Sequence, residues 1–237
     1  MIYLSYGMPK SASSYCYQLT DAMLRAAGHY REMCCKNYLP EKYHKVFLDL
    51  NRDEISEIVE LVPETEILVI KTHTCLTPVL DNLLRTGKVK ASATFRDPRD
   101  AAISVLEAGE NDRKLKKFRK FNEIHTLNDA FLFYKDIKHC ITQWLLHPDV
   151  LKISYNLLAF NPLETALKLR DHLQINVDVE AIVKTFSSNL KEKIWEFNVG
   201  KSGRYKEYMT DSQKQQFFLE FSDLINLMNT LDNRYPI

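Results

Sequence analysis

The sequence is poor in glycine and proline, with 6 Gly and 8 Pro among 237 residues. Because these residues are the strongest breaks between structural units, their scarcity leaves no obvious linker in the chain. No Gly/Ser-rich stretch, low-complexity block or internal repeat divides it either. We therefore expect one domain over residues 1–237, although a chain of this length has room for two small ones.

An excess of charge of one sign is also lacking: 32 Lys and Arg residues face 31 Asp and Glu residues, which gives a net charge of +1. A general basic field that attracts nucleic acid is thereby excluded, so any anion site has to be local. No apolar run approaches the roughly 18 residues that a membrane span needs, and the apolar stretch 1–6 is too short for a signal peptide. We predict a cytoplasmic protein with neither nucleic acid nor membrane as a partner, and the sequence carries no signal for its oligomeric state.

Cysteines are few and unpatterned. The chain has five of them, at Cys16, Cys34, Cys35, Cys75 and Cys140. The number is odd and no pair has the C-x-x-C spacing, so neither a disulfide framework nor a zinc site is indicated. We expect free thiols in a reducing compartment and no metal.

What the sequence does contain is an alternation of short β-prone runs with longer helical patterns. The predicted strands are Ile2–Tyr6, Lys45–Leu50, Ile67–Lys71, Ala91–Phe95 and Val150–Ser154. The helical patterns that follow them are Ser13–Ala27, Asp53–Leu61, Pro78–Arg85, Pro98–Ala108 and Pro162–His172. This alternation predicts a mostly parallel sheet with crossover helices. Two further helical stretches, Val179–Leu190 and Asp211–Leu231, are expected to cover the sheet rather than extend it.

In such a sheet, ligands bind beyond the carboxyl ends of the strands, where loops lead into helices. The first of these loops follows Gly7 and contains Lys10, Ser11, Ser13 and Ser14 just before and at a helix start. Unpaired N–H groups at a helix N-terminus favour a phosphate, and the lysine and the hydroxyls add charge and donors. The alternative is a serine N-cap with an incidental lysine. The loop lacks the second glycine of the nucleotide-kinase motif.

A second candidate anion site lies where the strand ending at Phe95 leads into a helix. Arg96 stands at the strand tip, Ser104 lies eight residues further on, and Pro98 occupies the first helical turn. The planar fork of an arginine suits phosphate oxygens. The alternative is a surface cluster of ion pairs among Asp97, Arg99 and Asp100.

His73 is the histidine that suits proton transfer. Of the seven histidines, it alone sits at a predicted strand terminus beside a lysine, Lys71. An isolated histidine is more often structural, but its ordinary pKa range also suits a general base.

These segments resemble the sulfotransferases that use 3′-phosphoadenosine 5′-phosphosulfate (PAPS). The run Pro9–Tyr15 resembles their 5′-phosphosulfate loop, with Ala12 in place of a glycine and Tyr15 in place of a tryptophan. The run Arg96–Ser104 resembles their 3′-phosphate site at every fixed position, and Lys71-Thr72-His73 resembles the segment that carries their base. Two weaker resemblances are the strand that ends at Tyr155 and a lid-like loop, residues 200–206. In the lid, the family's Arg-Lys pair aligns with Asn198-Val199, which carries no charge.

The resemblance implies an α/β domain of the P-loop-like nucleotide fold, with a helical C-terminal region. It implies that His73 is the general base, that Lys10 supports the bridging oxygen and that Lys71 stabilises charge on the transferring group. It implies PAPS as co-substrate and adenosine 3′,5′-bisphosphate as product, without a metal. The donor-binding residues that it implies are Lys10, Ser11, Ala12, Ser13, Ser14, Tyr15, Arg96, Ser104, Tyr155, Gly200, Lys201 and Arg204, the last two as candidates to replace the missing lid charge.

The sulfuryl group would pass to a hydroxyl or an amine of a small-molecule or glycan acceptor. Two other functions stay open: a nucleotide-binding module that has lost catalysis, and a small-molecule kinase, for which Asp49 is the only modest Mg²⁺-holding candidate. The basic run 113–120 is interpreted as a solvated helix face, with a contact to an acidic acceptor as the alternative.

Overall fold

The computed structural model describes residues 1–116, 121–187 and 200–232. These residues contain one sheet of four parallel strands in the order β2-β1-β3-β4. The strands are β1 Ile2–Gly7, β2 Leu68–Thr72, β3 Val89–Phe95 and β4 Val150–Ser154. The fold class predicted from the alternation of strands and helices is therefore confirmed.

Helices connect and cover the strands. In chain order they are α1 Ser13–Ala26, α2 Arg31–Tyr38, α3 Arg52–Leu61, α4 Pro78–Arg85, α5 Pro98–Lys114, α6 Leu127–Leu146, α7 Tyr155–Phe160, α8 Pro162–Leu173, α9 Val179–Ser187, α10 Tyr205–Tyr208 and α11 Asp211–Leu231, with a 3₁₀ turn at Glu41–Tyr43. Helix α11 packs on α5, α6 and β4, so this C-terminal helix covers the sheet as expected. The end of the other predicted C-terminal helix, residues 188–190, lies outside the described residues.

Strand β1 sends alternate side chains into two cores, one on each face of the sheet. Ile2, Leu4 and Tyr6 belong to the larger core, together with side chains of α3, α4, α5, α6 and α11. Tyr3 belongs to the smaller core, which α1, α8 and α9 complete. Since successive side chains of a strand point to opposite faces, this division follows from the pleat. Burial on both faces explains why β1 is mostly apolar in sequence, with Ser5 as its one small hydroxyl side chain.

The predicted strand Lys45–Leu50 is wrong. In the structure this segment makes one isolated bridge, Phe47 to Lys71, beside the outer edge of β2. Two backbone hydrogen bonds join the segment to Lys71. The Lys71 N–H donates to the Val46 carbonyl at 3.1 Å, and the Leu48 N–H donates to the Lys71 carbonyl at 3.0 Å. The apolar pattern is that of a strand, but only one residue reaches the register for pairing.

The expectation of free thiols is wrong for two of the five cysteines. Cys75, just after β2, and Cys140, in α6, form a disulfide, and their Cα atoms are 4.8 Å apart. Their separation of 65 residues in sequence hides this contact, which arises because the fold places the loop after β2 beside α6. Cys16, Cys34 and Cys35 are buried free thiols. Within the described ranges, no helix is both long enough and apolar enough to cross a bilayer.

Candidate active site

The strand order places a switch point beside β1. Strand β1 has β2 on one side and β3 on the other, so the connections leaving the carboxyl ends of β1 and β2 run in opposite directions across the sheet. A crevice forms at such a point, and it is the usual ligand site of an open parallel sheet. The ends of β1, β2 and β3 carry Lys10, His73 and Arg96 respectively, all of them predicted site residues.

The first anion loop, residues Gly7–Tyr15, begins with a close approach between backbone and helix. A Cβ atom on Gly7 would lie 2.2 Å from Cβ of Ser13 and 2.7 Å from Oγ1 of Thr94. Real Cβ atoms do not come so close to their neighbours, so only glycine lets α1 begin this near to β1 and β3. The sequence gives no direct signal for this steric role, because glycine is common before any turn.

Other elements hold the first anion loop by its backbone. The Met8 N–H donates to the Thr94 carbonyl at 2.9 Å, and the Tyr134 hydroxyl donates to the Pro9 carbonyl at 2.8 Å. The fully buried Ser11 hydroxyl donates to the Met8 carbonyl at 2.6 Å and lies 2.7 Å from Oγ1 of Thr94. Ser11 therefore stabilises the loop in this geometry instead of pointing its donor at a ligand.

The backbone of the loop turns through the left-handed region at two residues with side chains. Lys10 has φ 62° and Ala12 has φ 65°. Ala12 is the N-cap of α1, and it has no side-chain capping bond. The N–H groups of the first helical turn have no acceptor within the helix, and they point out of its N-terminus. Ala12 thus occupies the position where the resemblance expects glycine, in a conformation that glycine adopts without strain.

Two lysines flank this helix N-terminus. Lys71, near the end of β2, donates from Nζ to Oγ of Ser14 at 2.8 Å. The Nζ atom of Lys10 lies 5.9 Å from the centre of the Phe121 ring. The structure thereby places Lys71 in contact with one serine of the first anion loop, Ser14. Tyr15 faces away from the helix start, toward the smaller core, where its ring lies nearly parallel to that of Phe186 at 6.3 Å.

His73 has one ring nitrogen committed to the backbone. Its Nδ1 is hydrogen-bonded to the carbonyl oxygen of Gly7. A carbonyl oxygen only accepts, so Nδ1 carries the proton and, in the neutral ring, Nε2 carries the lone pair. The loop after the histidine is held as well, because Nε1 of Trp144 donates to the Thr74 carbonyl at 2.9 Å. The exposed ring of Phe47 lies 5.2 Å from the His73 ring.

The second anion site consists of Arg96, Ser104 and the segment 200–205. Arg96 is 6% exposed, and its guanidinium lies over the Tyr155 ring at 3.9 Å. It donates to the carbonyl oxygens of Lys10 at 3.4 Å and of Lys201 at 2.6 Å, so it joins the first anion loop to the C-terminal segment. Its Nε is buried and has no hydrogen-bond partner among the described residues. Ser104 is buried two turns into α5.

Asp100 fastens the segment 200–205 to this site, a role that the sequence did not reveal. Its side chain is fully buried and lies 3.4 Å from Nη2 of Arg96. Its two oxygens accept from the backbone N–H groups of Gly203 at 2.7 Å and Tyr205 at 3.0 Å. An ionised carboxylate is a strong acceptor for such bonds. The sequence offered the aspartate but no hint of its partners, which lie about a hundred residues away.

The predicted cluster of ion pairs is present but buried. Arg99 donates to Asp97 through Nη2 at 2.7 Å, and its guanidinium lies 3.8 Å from the Tyr205 ring. Burial raises the pKa of the Asp97 carboxyl, and the hydrogen bonds from Arg99 oppose that rise. This pair shapes the turn into α5, and of the two arginines in the turn it is Arg96 whose Nε has no partner among the described residues.

Lys201 and Arg204 are the two candidates for the lid charge, and the charge of Arg204 is neutralised by an ion pair. Arg204 is buried and forms a two-point ion pair with Glu107 of α5, with Nη1 donating to Oε2 at 2.9 Å. These bonds raise the pKa of Arg204. Lys201 is exposed, and Gly200 turns the chain with φ 68°. The geometry therefore favours Lys201 over Arg204 as the replacement for the missing lid charge. Asn198 and Val199 lie outside the described residues.

The described residues give the kinase alternative no metal-holding residue at Asp49, and they assign a structural role to one residue of the basic run. Asp49 is exposed in a segment that forms no strand, so it is not at a strand tip where a kinase would hold its metal. In the basic run, Arg113 donates to the carbonyl oxygens of Asn122 and Ile124 at 2.7 and 2.8 Å, which stabilises the chain beyond α5. Residues 117–120 of the run lie outside the described residues.

The comparison with known families decides the identity of the domain. A sequence model described as the sulfotransferase domain matches residues 4–223. This chain belongs to the sulfotransferase family. The prediction made from the motifs is thereby confirmed at the level of the family, and the match runs through every segment of the candidate site.

Solved sulfotransferase structures share the fold. A mouse sulfotransferase, SULT7A1, crystallised with PAP, matches with a TM-score of 0.64 and 17% identity over 99% of this chain and 88% of that one. Retinol dehydratase in complex with androsterone and the inactive cofactor PAP matches with a TM-score of 0.61 and 19% identity, over 99% and 82% of the two chains. A putative steroid sulphotransferase of Arabidopsis thaliana matches with a TM-score of 0.53 and 14% identity, over 94% of this chain and 75% of that one. A search of curated proteins finds no match.

Proposed function

We propose that this sulfotransferase transfers a sulfuryl group from PAPS to a hydroxyl or amine acceptor, with His73 as the general base. The observation that carries the proposal is the pair of separate cationic sites at neighbouring strand ends. Lys10 and Lys71 flank the N-terminus of α1, and Arg96 stands at the end of β3. Two such sites suit a ligand with phosphate groups at both its 3′ and 5′ ends.

The residues present fit such a donor. Arg96 keeps a buried Nε without a partner in the described part of the chain, and a phosphate bound beside it would supply the acceptor. The first turn of α1 offers its N–H groups to a second anion. In this proposal Arg96 and Ser104 hold the 3′-phosphate, and Lys10, Ser13 and Ser14 with the backbone of Ala12 and Tyr15 hold the 5′ end. Tyr155 supplies aromatic surface for the adenine, and Gly200 and Lys201 close over the site.

When bound, the donor supplies an activated sulfuryl group, and the residues of the chain position it and balance its charge. His73 accepts the acceptor proton at Nε2, which the bond from Nδ1 to the Gly7 carbonyl leaves as the basic nitrogen. Lys10 balances charge on the leaving phosphate, and Lys71, fixed by its bond to Ser14, balances charge on the group in transfer. As in phosphoryl transfer, most of the rate gain then comes from positioning and charge.

The proposal identifies the acceptor only by its chemical class. Retinol dehydratase has been crystallised with androsterone, an alcohol-bearing small molecule. Here the exposed Phe47 ring beside His73 offers apolar contact to such an acceptor. We therefore favour a small molecule with an apolar ring over a glycan, and a cytoplasmic location remains a prediction.

The test compares two ligands that differ by one phosphate, adenosine 3′,5′-bisphosphate and adenosine 5′-monophosphate, in calorimetric titrations. Arg96→Lys should weaken the bisphosphate by about 10–100-fold, because charge-assisted hydrogen bonds contribute about 1.5–3 kcal/mol each. It should change the affinity for the monophosphate much less. Lys10→Ala should weaken both ligands by similar factors.

Matched controls are Arg52→Lys and Lys36→Ala, which change exposed residues of α3 and α2. The donor-site proposal fails if the bisphosphate does not bind, or if Arg96→Lys weakens both ligands equally. A turnover assay with labelled PAPS and a panel of alcohols, phenols, amines and sugars then separates a working enzyme from a module that only binds the nucleotide.

A further inference from the structure

A second cluster of reactive side chains lies outside the proposed donor site. Cys75 follows β2, two residues after His73, and His139 and Cys140 lie in the middle of α6. One ligand atom from each of the three residues falls within a group whose members are all within 4.8 Å of one another. No residue of this cluster has a role in the proposed sulfuryl transfer.

The ring of His139 is oriented by its own helix. Nδ1 of His139 is 3.1 Å from the carbonyl oxygen of Asp136, one turn earlier, so Nδ1 carries the proton and Nε2 has the lone pair. Nε2 lies 3.7 Å from Sγ of Cys75 and 3.7 Å from Sγ of Cys140. A histidine whose second nitrogen donates to a backbone carbonyl has the arrangement found at metal-binding histidines.

We propose that Cys75, His139 and Cys140 form a site for a thiophilic divalent cation of the Zn²⁺ class when the disulfide is reduced. With Zn–S of about 2.3 Å and Zn–N of about 2.0–2.1 Å, tetrahedral geometry puts a nitrogen and a sulfur ligand about 3.6 Å apart. Both nitrogen-to-sulfur distances of the cluster, 3.7 Å, already fit this value. The two sulfurs need to separate, and reduction of the bond between them allows it.

The chemistry of the site has two exclusive states. A dithiol reductant gives two electrons and two protons to the Cys75–Cys140 disulfide and is itself oxidised to a disulfide. The two thiols then lose their protons to solvent as the cation binds, and water fills the fourth position. Two sulfurs and one imidazole select Zn²⁺ over Mg²⁺ or Ca²⁺, which prefer oxygen ligands. His139 is exposed, so the cation reaches the site from solvent.

Occupancy would join the loop after His73 to α6 in the reduced protein, as the disulfide does in the oxidised one. The contact from Trp144 to the Thr74 carbonyl already places this loop beside α6 without any help from sulfur. The cluster is therefore preorganised by the fold, and a cation binds it without a large rearrangement.

The test uses the full chain, reduced with a dithiol, freed of reductant without oxygen and titrated with Co²⁺ as a spectroscopic probe for Zn²⁺. We expect one Co²⁺ per chain, with sulfur-to-cobalt charge-transfer absorption that Zn²⁺ abolishes by displacement. Cys75→Ser and Cys140→Ser should each remove most of this absorption. His139→Ala should weaken binding at least as much as loss of an outer-shell partner does, about 10–100-fold.

Controls are Cys34→Ser, which removes a buried free thiol, and His125→Ala, which removes an exposed histidine. Both should bind Co²⁺ as the unaltered chain does, and the disulfide form should not bind it until reduced. The proposal is overturned if the reduced chain gives no charge-transfer absorption, if both serine variants retain it, or if His139→Ala leaves the affinity unchanged. None of these readouts needs PAPS or turnover, so the result is independent of the proposed function.

Discussion

The two anion sites are built by different means. The backbone of the first anion loop is held by hydrogen bonds with the Thr94 carbonyl of β3 and the Tyr134 hydroxyl of α6, and by a close approach that only Gly7 allows. The second anion site depends on a segment from far along the chain, which Asp100 and Arg96 fasten through its backbone. The first site is therefore part of the rigid sheet edge, whereas the second is complete only when the segment 200–205 is docked. A short motif contains most of the residues that form the first site but only half of those that form the second.

The largest effect should come from the base beside the first anion loop. His73→Ala should lower kcat by about 10²–10⁴-fold, the range of a positioned acid–base group. Its affinity for adenosine 3′,5′-bisphosphate should stay nearly unchanged, since no phosphate contact is removed. Steady-state kinetics and calorimetry measure the two quantities, with His125→Ala as the exposed histidine control. A near-normal rate in His73→Ala would refute the base assignment.

The next effect concerns the docking of the segment 200–205. Asp100→Asn removes the negative charge and replaces one of the two acceptor oxygens, which bond to the Gly203 and Tyr205 N–H groups, by an NH₂ donor; bonds to charged groups contribute about 1.5–3 kcal/mol each. Hydrogen exchange at these two amides should rise about tenfold or more, because their local opening becomes easier.

Amides of the first anion loop, such as Met8, should keep their protection in the same variant. Asp171→Asn, at an exposed carboxylate of α8, is the matched control. Equal acceleration in both anion sites would mean that they open together, against the comparison drawn above.

A smaller effect should test whether Lys201 supplies the lid charge. Lys201→Ala should weaken adenosine 3′,5′-bisphosphate by about 2–5-fold, as expected for an exposed charge that contributes about 0.2–1 kcal/mol. The difference should shrink at high salt, which screens exposed charges. Calorimetry at two salt concentrations measures both, with Lys206→Ala as a control at an exposed lysine of α10. A loss that salt does not reduce would contradict an exposed, through-solvent role.

The smallest effect is a gain in stability at the first anion loop. Ala12→Gly should raise the free energy of unfolding by about 0.5–1 kcal/mol, because Ala12 sits at φ 65° and glycine adopts that conformation freely. Denaturant unfolding measures the change. Ala27→Gly is the control, since Ala27 has φ −84° at the end of α1 and gains nothing from glycine. A stability loss in Ala12→Gly would show that the left-handed turn is not strained.

Most of the fold was predictable because strand and helix periodicities are local. Pro98 and the apolar run before it indicate β3 and α5 without any knowledge of the rest. Lys45–Leu50 was mistaken for a strand because a chain beside a sheet edge has the same apolar pattern as a paired strand. Whether such a segment pairs over one residue or over several depends on contacts with distant parts of the chain, here between Phe47 and Lys71, and a local stretch of sequence does not reveal them.

The site was predictable where one loop holds its own residues and not where distant segments meet. Lys10, His73 and Arg96 come from short motifs, and the fold brings their strand ends to one edge of the sheet. The bond from His73 to the Gly7 carbonyl, the acceptor role of Asp100 and the pairing of Arg204 with Glu107 join residues 66 to 105 positions apart. Such contacts leave no periodic trace in the sequence.

The central position of β1 has a consequence for how the chain folds. Ile2 pairs with Leu68 on one side and with Val89 on the other, and every strand pair in the described sheet is parallel and distant in sequence. Each pairing closes a long loop before any contact rewards it, which slows folding. During synthesis β1 therefore has no partner strand until β2 and β3 have emerged from the ribosome.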